Sequence, residues 1–185
     1  MYEFDGSVLR DFETAVKKEW LLTNPLGGYA SSTLIGCNTR RYHGLLVAGS
    51  DVISKKTVYL SGCDETLVVG KQRFSLSTHQ YKDLIHPEGF KYIEKCSLGS
   101  SLRIVYRFGD TVLEKRIILG DNEHAVYLSY TLLCSPRGQT AGLTVRPLVP
   151  CRDFQTTEYE NARYQRLARK EEGKITLRPY EDAQE

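Results

Sequence analysis

The feature that most constrains this sequence is a succession of short apolar segments separated by turn signals, with almost no helical periodicity. Gly109-Asp110, between two of these segments, indicates a tight hairpin, since glycine tolerates the positive φ that such turns need. Many strands with short turns predict an all-β, mainly antiparallel fold, either a sandwich or a barrel, with little helix. The predicted strands are 19–23, 29–35, 42–48, 57–61, 66–69, 73–77, 90–96, 102–108, 111–119, 124–134, 141–149 and 174–177.

Two segments do not fit this strand pattern, and each leaves two interpretations open. Residues 7–18 form either a short helix or an irregular stretch, so we treat 1–18 as a lead-in segment. Residues 158–171 are polar nearly all round and form either a surface helix or a loop. The sequence accordingly predicts a lead-in followed by one β-rich domain over 19–185.

Charge and composition exclude several classes of protein. The 25 lysines and arginines nearly balance the 23 aspartates and glutamates, and a net charge of +2 gives no argument for a nucleic-acid or membrane partner. No apolar run approaches the roughly 20 residues needed to span a bilayer, and the N-terminus lacks the apolar region of a signal peptide. The five cysteines are scattered without a CxxC pair, which favours buried thiols in a reducing compartment. We therefore expect a cytoplasmic protein.

Residues suited to metal, nucleotide or nucleophilic chemistry show no recognised spacing. The four histidines form no HxH or HExxH pattern, and His79 and His86 lie in a predicted loop. No phosphate-binding glycine motif is present, so the sequence predicts neither a metal nor a cofactor. Asp64 and Glu65 are the most conspicuous acids, but neighbouring residues on a strand point to opposite faces.

The densest concentration of candidate binding residues lies between Glu19 and Leu46. Arginine forks suit carboxylates, phosphates or sugar hydroxyls, aromatic rings stack on apolar sugar faces, and asparagine both donates and accepts hydrogen bonds. The alternative is structural, because tryptophan usually belongs to the core and adjacent arginines on a strand point to opposite faces. The histidine is then a hydrogen-bonded structural residue rather than a general base. The candidates are Trp20, Tyr29, Asn38, Arg40, Arg41, Tyr42 and His43.

The same segment opens a resemblance to a known family. The chain looks like the N-terminal domain of bacterial and archaeal glycogen debranching enzymes, and the likeness covers nearly all of Glu19 to Tyr180. NTRRYHG is the most specific element, and one departure is Pro25, where the family usually has glycine. The runs that carry the resemblance are, in order, EWLLTN, LGGYASSTLIG, NTRRYHGLLVA, VYLSGCDETLVVGKQRFSLSTHQY, HPEGFKYIEKCSL, VLEKRIIL and LTVRPLVPCRDF.

The resemblance implies a β-sandwich, supersandwich-like domain of an amylo-α-1,6-glucosidase, a glycoside hydrolase of glycogen catabolism. The catalytic carboxylates are expected in a C-terminal (α/α) barrel, which nothing in this sequence resembles. Glycoside hydrolysis needs two carboxyl groups facing one bond, so we expect no catalytic residues in this chain alone. The expected partners are that barrel and an α-glucan such as glycogen.

Three roles stay open at this point. The chain is an accessory domain that shapes the glucan site, a free-standing carbohydrate-binding module, or a purely structural interdomain module. In the first role the cluster acts through glucan contact or through ion pairs with barrel carboxylates, and the sequence does not separate the two. A large exposed apolar patch would favour the structural module.

Overall fold

The computed structural model describes residues 2–49, 55–159, 162–165 and 168–180, and strands dominate this part of the chain. Its helices are short: α1 (Gly6–Leu9), α2 (Phe12–Ala15) and a 3₁₀ helix (Gly89–Tyr92). The strands are β1 (Tyr2–Asp5), β2 (Glu19–Thr23), β3 (Tyr29–Thr33), β4 (Gly44–Ala48), β5 (Thr57–Leu60), β6 (Gly62–Val69), β7 (Gln72–Ser75), β8 (Thr78–Gln80), β9 (Ile85–Glu88), β10 (Ile93–Leu98), β11 (Leu102–Phe108), β12 (Thr111–Leu119), β13 (Val126–Cys134), β14 (Ala141–Leu148), β15 (Arg152–Asp153), β16 (Ala168–Glu171) and β17 (Lys174–Leu177).

The strands form three principal sheets and two separate hairpins. The first sheet has the order β1-β10-β11-β12-β13, the second β15-β5-β4-β3-β2 and the third β14-β6-β7. The hairpins β8–β9 and β16–β17 pair alone. Every pairing between described strands is antiparallel. The prediction of an all-β, mainly antiparallel, sandwich-like domain with little helix is therefore confirmed.

Alternating side chains build one core between the sheets. Every second residue of β11 is buried, as is every second residue of β6, and each of these strands therefore has one apolar and one solvent-facing side. The β11–β12 hairpin turns at Gly109, whose φ of +58° is the left-handed conformation that the sequence indicated. The core cluster draws side chains from all three principal sheets, and each fully buried Leu or Ile stabilises the fold by about 1.5–3 kcal/mol.

The lead-in segment folds onto the first sheet. Strand β1 pairs with β10, and Asp5 then caps α1 by accepting a 2.9 Å hydrogen bond from the Ser7 N–H. Leu9 and Phe12 are buried in the core. Because a four-residue helix is unstable by itself, this packing holds α1 and α2 in place. Of the two interpretations of 7–18, the short helix is correct.

The structure corrects several local predictions. The predicted loop around His79 and His86 is the hairpin β8–β9, whose strands are too short to show an alternation. Of the two interpretations of 158–171, the loop is correct for the described residues 158, 159 and 162–165, whereas 168–171 form the exposed strand β16. No helix occurs in the described part of this segment, and residues 160, 161, 166 and 167 lie outside the described residues. Tyr42 lies in a turn, and β4 begins only at Gly44. A Cβ on Gly44 would come within 2.9 Å of two valine methyl groups, so close packing requires glycine there.

One buried ion pair joins the facing sheets. Glu65 on β6 and Lys115 on β12 both occupy inward positions, and they form a salt bridge with each other. Tyr130 on β13 donates a further 2.8 Å hydrogen bond to Oε1 of Glu65. Burial, followed by the nearby Glu65 charge, raises the pKa of Tyr130. The carboxylate is thus compensated by one cation and one hydroxyl inside the core.

Candidate functional site

Five of the seven candidate residues lie in the loop 38–43, which is the last part of the connection between β3 and β4. Thr33 starts this connection, because its hydroxyl accepts a 3.0 Å hydrogen bond from the Cys37 N–H and donates one of 2.9 Å to the Cys37 carbonyl. The Asn38 amide then accepts from the Ser32 hydroxyl at 2.7 Å and donates to the Ser61 carbonyl at 2.8 Å. Both ends of the Asn38 side chain are therefore used to fix the loop to β3 and to the residue that follows β5.

Arg40, His43 and Glu19 meet at one end of the loop. Arg40 forms a salt bridge with Glu19, which lies on the solvent-facing side of β2. His43 is buried, and its Nδ1 accepts a 3.2 Å hydrogen bond from the Thr39 N–H, so the neutral ring carries its proton on Nε2. That Nε2 lies 3.6 Å from Oε1 of Glu19, beyond hydrogen-bond distance, and no described residue satisfies it.

The electrostatics of this corner follow from burial and from the two charges beside it. Burial lowers the pKa of His43, with the Glu19 carboxylate opposing the effect and Arg40 reinforcing it. The hydrogen bond that Arg40 donates to Glu19, together with the Glu19 charge, raises the pKa of Arg40. His43 therefore stays neutral near pH 7, while Glu19 and Arg40 form an exposed charged pair above it.

An open groove of about 470 Å³ runs along the outer face of β2 and β3. The register sets Leu21 opposite Ser31 on its floor, and Tyr42 from the loop forms a wall beside Glu19. Leu21 is 57% exposed and Tyr42 43% exposed, so both present apolar surface to solvent. Tyr29 donates a 2.8 Å hydrogen bond to the Tyr42 carbonyl, and burial raises the pKa of Tyr29 to about 12. The groove combines an apolar floor with aromatic and charged edges.

The far rim of the groove is the turn 24–28. Asn24 accepts a 2.9 Å hydrogen bond from the Gly28 N–H and donates to the Gly120 carbonyl at 2.8 Å. The Gly27 N–H closes the turn on the Asn24 carbonyl at 3.0 Å, and Gly27 has a φ of +74°. Pro25 follows Asn24, at the turn position for which its fixed φ is suited. The paired glycines of the sequence thus form a rim anchored to the first sheet.

The remaining candidate residues lie in different environments. Trp20 is 3% exposed and donates to the Thr33 carbonyl at 3.0 Å, so its indole packs in the core rather than offering a face for stacking. Arg41 lies in a turn, not on a strand, and donates to the Gln155 carbonyl at 3.0 Å. Arg40 and Arg41 therefore do not alternate between the faces of a sheet, since the strand assumed for them begins later.

Sequence reasoning missed the floor of the groove. Leu21 and Ser31 become neighbours only through the β2–β3 register, although the alternation of β2 around Trp20 and Leu22 could have placed Leu21 outside. It also left Glu19 without a partner, because Arg40 lies 21 residues along the chain. The structure brings Arg40 and His43 together beside Glu19, and Tyr29 and Tyr42 line the same groove.

The described residues hold no facing pair of acids at Asp64 and Glu65. Asp64 lies on the outer side of β6 and contacts Nε2 of His79 at 2.7 Å, whereas Glu65 lies in the core. No group of three metal-ligating side chains occurs in the described part of the chain. None of its helices has the length and apolar character needed to cross a membrane.

The fold and the groove define this chain as an all-β, sandwich-like domain with a surface site made of aromatic, apolar and charged side chains. A family model described as glycogen debranching enzyme N terminal matches residues 18–185. The chain belongs to that family, and the resemblance carried by NTRRYHG is confirmed. No curated protein and no solved structure matches the chain significantly.

Proposed function

We propose that this chain is an accessory domain of a glycogen debranching enzyme and that it shapes the site that receives an α-glucan. A separate C-terminal (α/α) barrel of the same parent chain would hydrolyse the α-1,6 branch. The observation that carries the proposal is the groove beside the loop 38–43, with Tyr42 exposed at its edge. Family membership supports the parent enzyme class.

The chemistry of the groove matches that of a glucan. An α-glucan offers apolar ring faces and a polar edge of hydroxyls, and aromatic side chains pack on such faces. Tyr42 and Leu21 supply the apolar surface, while Glu19 accepts and Arg40 donates hydrogen bonds at one end. Ligand sites with mostly apolar walls and a few convergent polar groups have this composition.

Neither the Asp64–Glu65 pair nor Glu19 supports hydrolysis by this chain alone. Asp64 and Glu65 point to opposite sides of β6, and Glu65 is already bound by Lys115. Glu19 is held by Arg40 in a salt bridge, and no second carboxylate is among the described residues that line the groove, whereas glycoside hydrolysis needs two. We therefore assign this domain a glucan-contacting role and expect it to act in the cytoplasm, where buried thiols such as Cys63 and Cys96 stay reduced.

A structural interdomain module is the second candidate. Leu21 on β2 and Leu26 in the turn that follows it are both exposed, and exposed apolar surface often marks a protein interface. In this alternative the barrel, not a glucan, covers the groove. A free-standing carbohydrate-binding module would also bind glucan, but it would contribute nothing to the activity of a parent enzyme.

Isothermal titration of the purified chain with maltoheptaose and with glycogen tests the proposal. We expect binding without release of glucose, and Tyr42→Ala should weaken the binding roughly tenfold, equivalent to about 1.4 kcal/mol. Tyr127→Ala, at an exposed tyrosine on β13, is the matched control and should bind as the unchanged chain does.

Two other outcomes have definite meanings. Absent binding, combined with lower thermal stability and activity when Tyr42→Ala is placed in the parent enzyme, would favour the interdomain module. Absent binding with an unchanged parent enzyme would contradict both candidates. Release of glucose by this chain would overturn the assignment of hydrolysis to the barrel.

A further inference from the structure

A second polar cleft lies on the outer face of the third sheet. Its volume is about 170 Å³, and β6, β7 and β14 all contribute to it. The register sets Arg146 directly opposite Asp64, and two residues along β6 it sets Thr66 between Thr144 and Ser75. These five side chains therefore share one side of the sheet, and Pro87 from β9 encloses them.

The two charged side chains of this cleft, Asp64 and Arg146, have hydrogen-bonding capacity left for a ligand. Asp64 is held by His79, whose Nε2 lies 2.7 Å from Oδ1. Within the part of the chain that the structure describes, neither the second oxygen of Asp64 nor the Arg146 guanidinium has a hydrogen-bond or ion-pair partner. Glu65 also borders the cleft, but Lys115 compensates its charge. The cleft thus offers a ligand one carboxylate oxygen as an acceptor and one guanidinium group as a donor. The charges of the cleft nearly cancel.

This combination selects a class of ligand. An anion would be repelled by Asp64, and a cation would be repelled by Arg146. A hydroxyl group both donates and accepts, so a pair of neighbouring hydroxyls can donate to the carboxylate and accept from the guanidinium at the same time. The hydroxyls of Thr66, Thr144 and Ser75 extend the same donor-and-acceptor character along the cleft.

We propose that the cleft between Asp64 and Arg146 is a binding site for one ring of a neutral sugar. The site is separate from the groove, which is built on β2 and β3 of a different sheet. Its size is well below the roughly 300 Å³ of common ligand pockets, so it holds one ring and not a chain. The inference goes beyond the proposed function, because the groove can contact glucan whether or not this cleft does.

Nuclear magnetic resonance titration of the chain with methyl α-glucoside is the test, since a site for one ring binds weakly. We expect amide shifts at Thr66 and Thr144 that saturate in the millimolar range. Arg146→Ala and Asp64→Ala should each weaken the binding roughly tenfold or more, because each removes a charged hydrogen-bonding partner. Arg73→Ala is the matched control, since Arg73 is an exposed arginine on the same side of the same sheet outside the cleft.

Each other result overturns the proposal. Shifts at the cleft with inorganic phosphate but not with the glucoside would identify an anion site at Arg146. If Arg73→Ala weakens the binding as much as Arg146→Ala does, the sugar contacts the face of the sheet without a defined site. Shifts at Tyr29 and Tyr42 alone would leave the groove as a glucan site and remove the cleft, so the two proposals fail separately.

Discussion

Two carboxylates organise charged clusters in this domain, one in the core and one at the surface. Glu65 is 2% exposed and binds Lys115 and Tyr130 between facing sheets. The Glu19 side chain is 32% exposed and binds Arg40 at the edge of the groove. Both clusters pair a carboxylate with a cation, yet only the second is open to water and to a ligand.

The difference in depth decides what each cluster can do. Removing one partner of a buried pair leaves an uncompensated charge in the core, whereas water replaces a lost partner at the surface. Glu65 and Lys115 therefore depend on each other inside the core, because neither charge is compensated without the other. Either Glu19 or Arg40 can give up its partner and bind a sugar hydroxyl or a charged group of another domain instead. This exchange should change the free energy of unfolding little.

The largest expected effect is at the buried cluster. Lys115→Met should lower the free energy of unfolding by about 3–5 kcal/mol, because Glu65 loses the one compensating cation that the described residues provide. Urea unfolding monitored by circular dichroism measures the change. The double variant Glu65→Leu, Lys115→Met should recover much of the loss, since it removes both charges. A double variant that is less stable than Lys115→Met would show that packing, not charge, explains the effect.

A smaller effect is expected at Asn24, a buried residue whose side chain is polar but uncharged. Asn24→Ala should lower the free energy of unfolding by about 1–3 kcal/mol, because it leaves the Gly28 N–H and the Gly120 carbonyl without their partner. Urea unfolding measures the cost, and hydrogen exchange at the Gly28 amide reports loosening of the groove rim. Asn122→Ala, at an exposed asparagine of the neighbouring loop, should change neither quantity.

The alternation of apolar residues and the turn signals predicted the fold well. They did not predict which side chains pair in the two charged clusters. The β11–β12 hairpin was predictable because Gly109-Asp110 separates two alternating segments. Lys115 has the pattern of an ordinary charged residue on a strand, and its burial depends on Glu65, 50 residues away. In the candidate site, composition identified Asn38, Arg40, Arg41, Tyr42 and His43 as candidates but not the loop that holds them. The salt bridge from Arg40 to Glu19 depends on the tertiary position of β2.

Acidification should affect the surface cluster through His43. Burial lowers the pKa of His43 in the folded state, so the unfolded chain binds its proton more readily. Stability contributed by the neutral ring is present above the unfolded pKa, about 6.5, and is lost as pH falls through the lower folded pKa. Urea unfolding at several pH values between 7.5 and 4.5 measures this slope, and His43→Asn should reduce it. His124→Gln, at an exposed histidine, should retain it.

The smallest expected effect is at Arg40 itself. Arg40→Ala should leave the urea midpoint almost unchanged, because its pair with Glu19 is exposed and screened by solvent. Urea unfolding at low and at moderate salt measures the midpoint. Added salt should reduce any remaining difference in midpoint between Arg40→Ala and the unchanged chain. If so, weaker glucan binding by Arg40→Ala reports a lost contact and not a damaged fold. A destabilisation close to that of Lys115→Met would mean that the fold depends on Glu19 as strongly as on Glu65, and the surface pair would no longer be available for function.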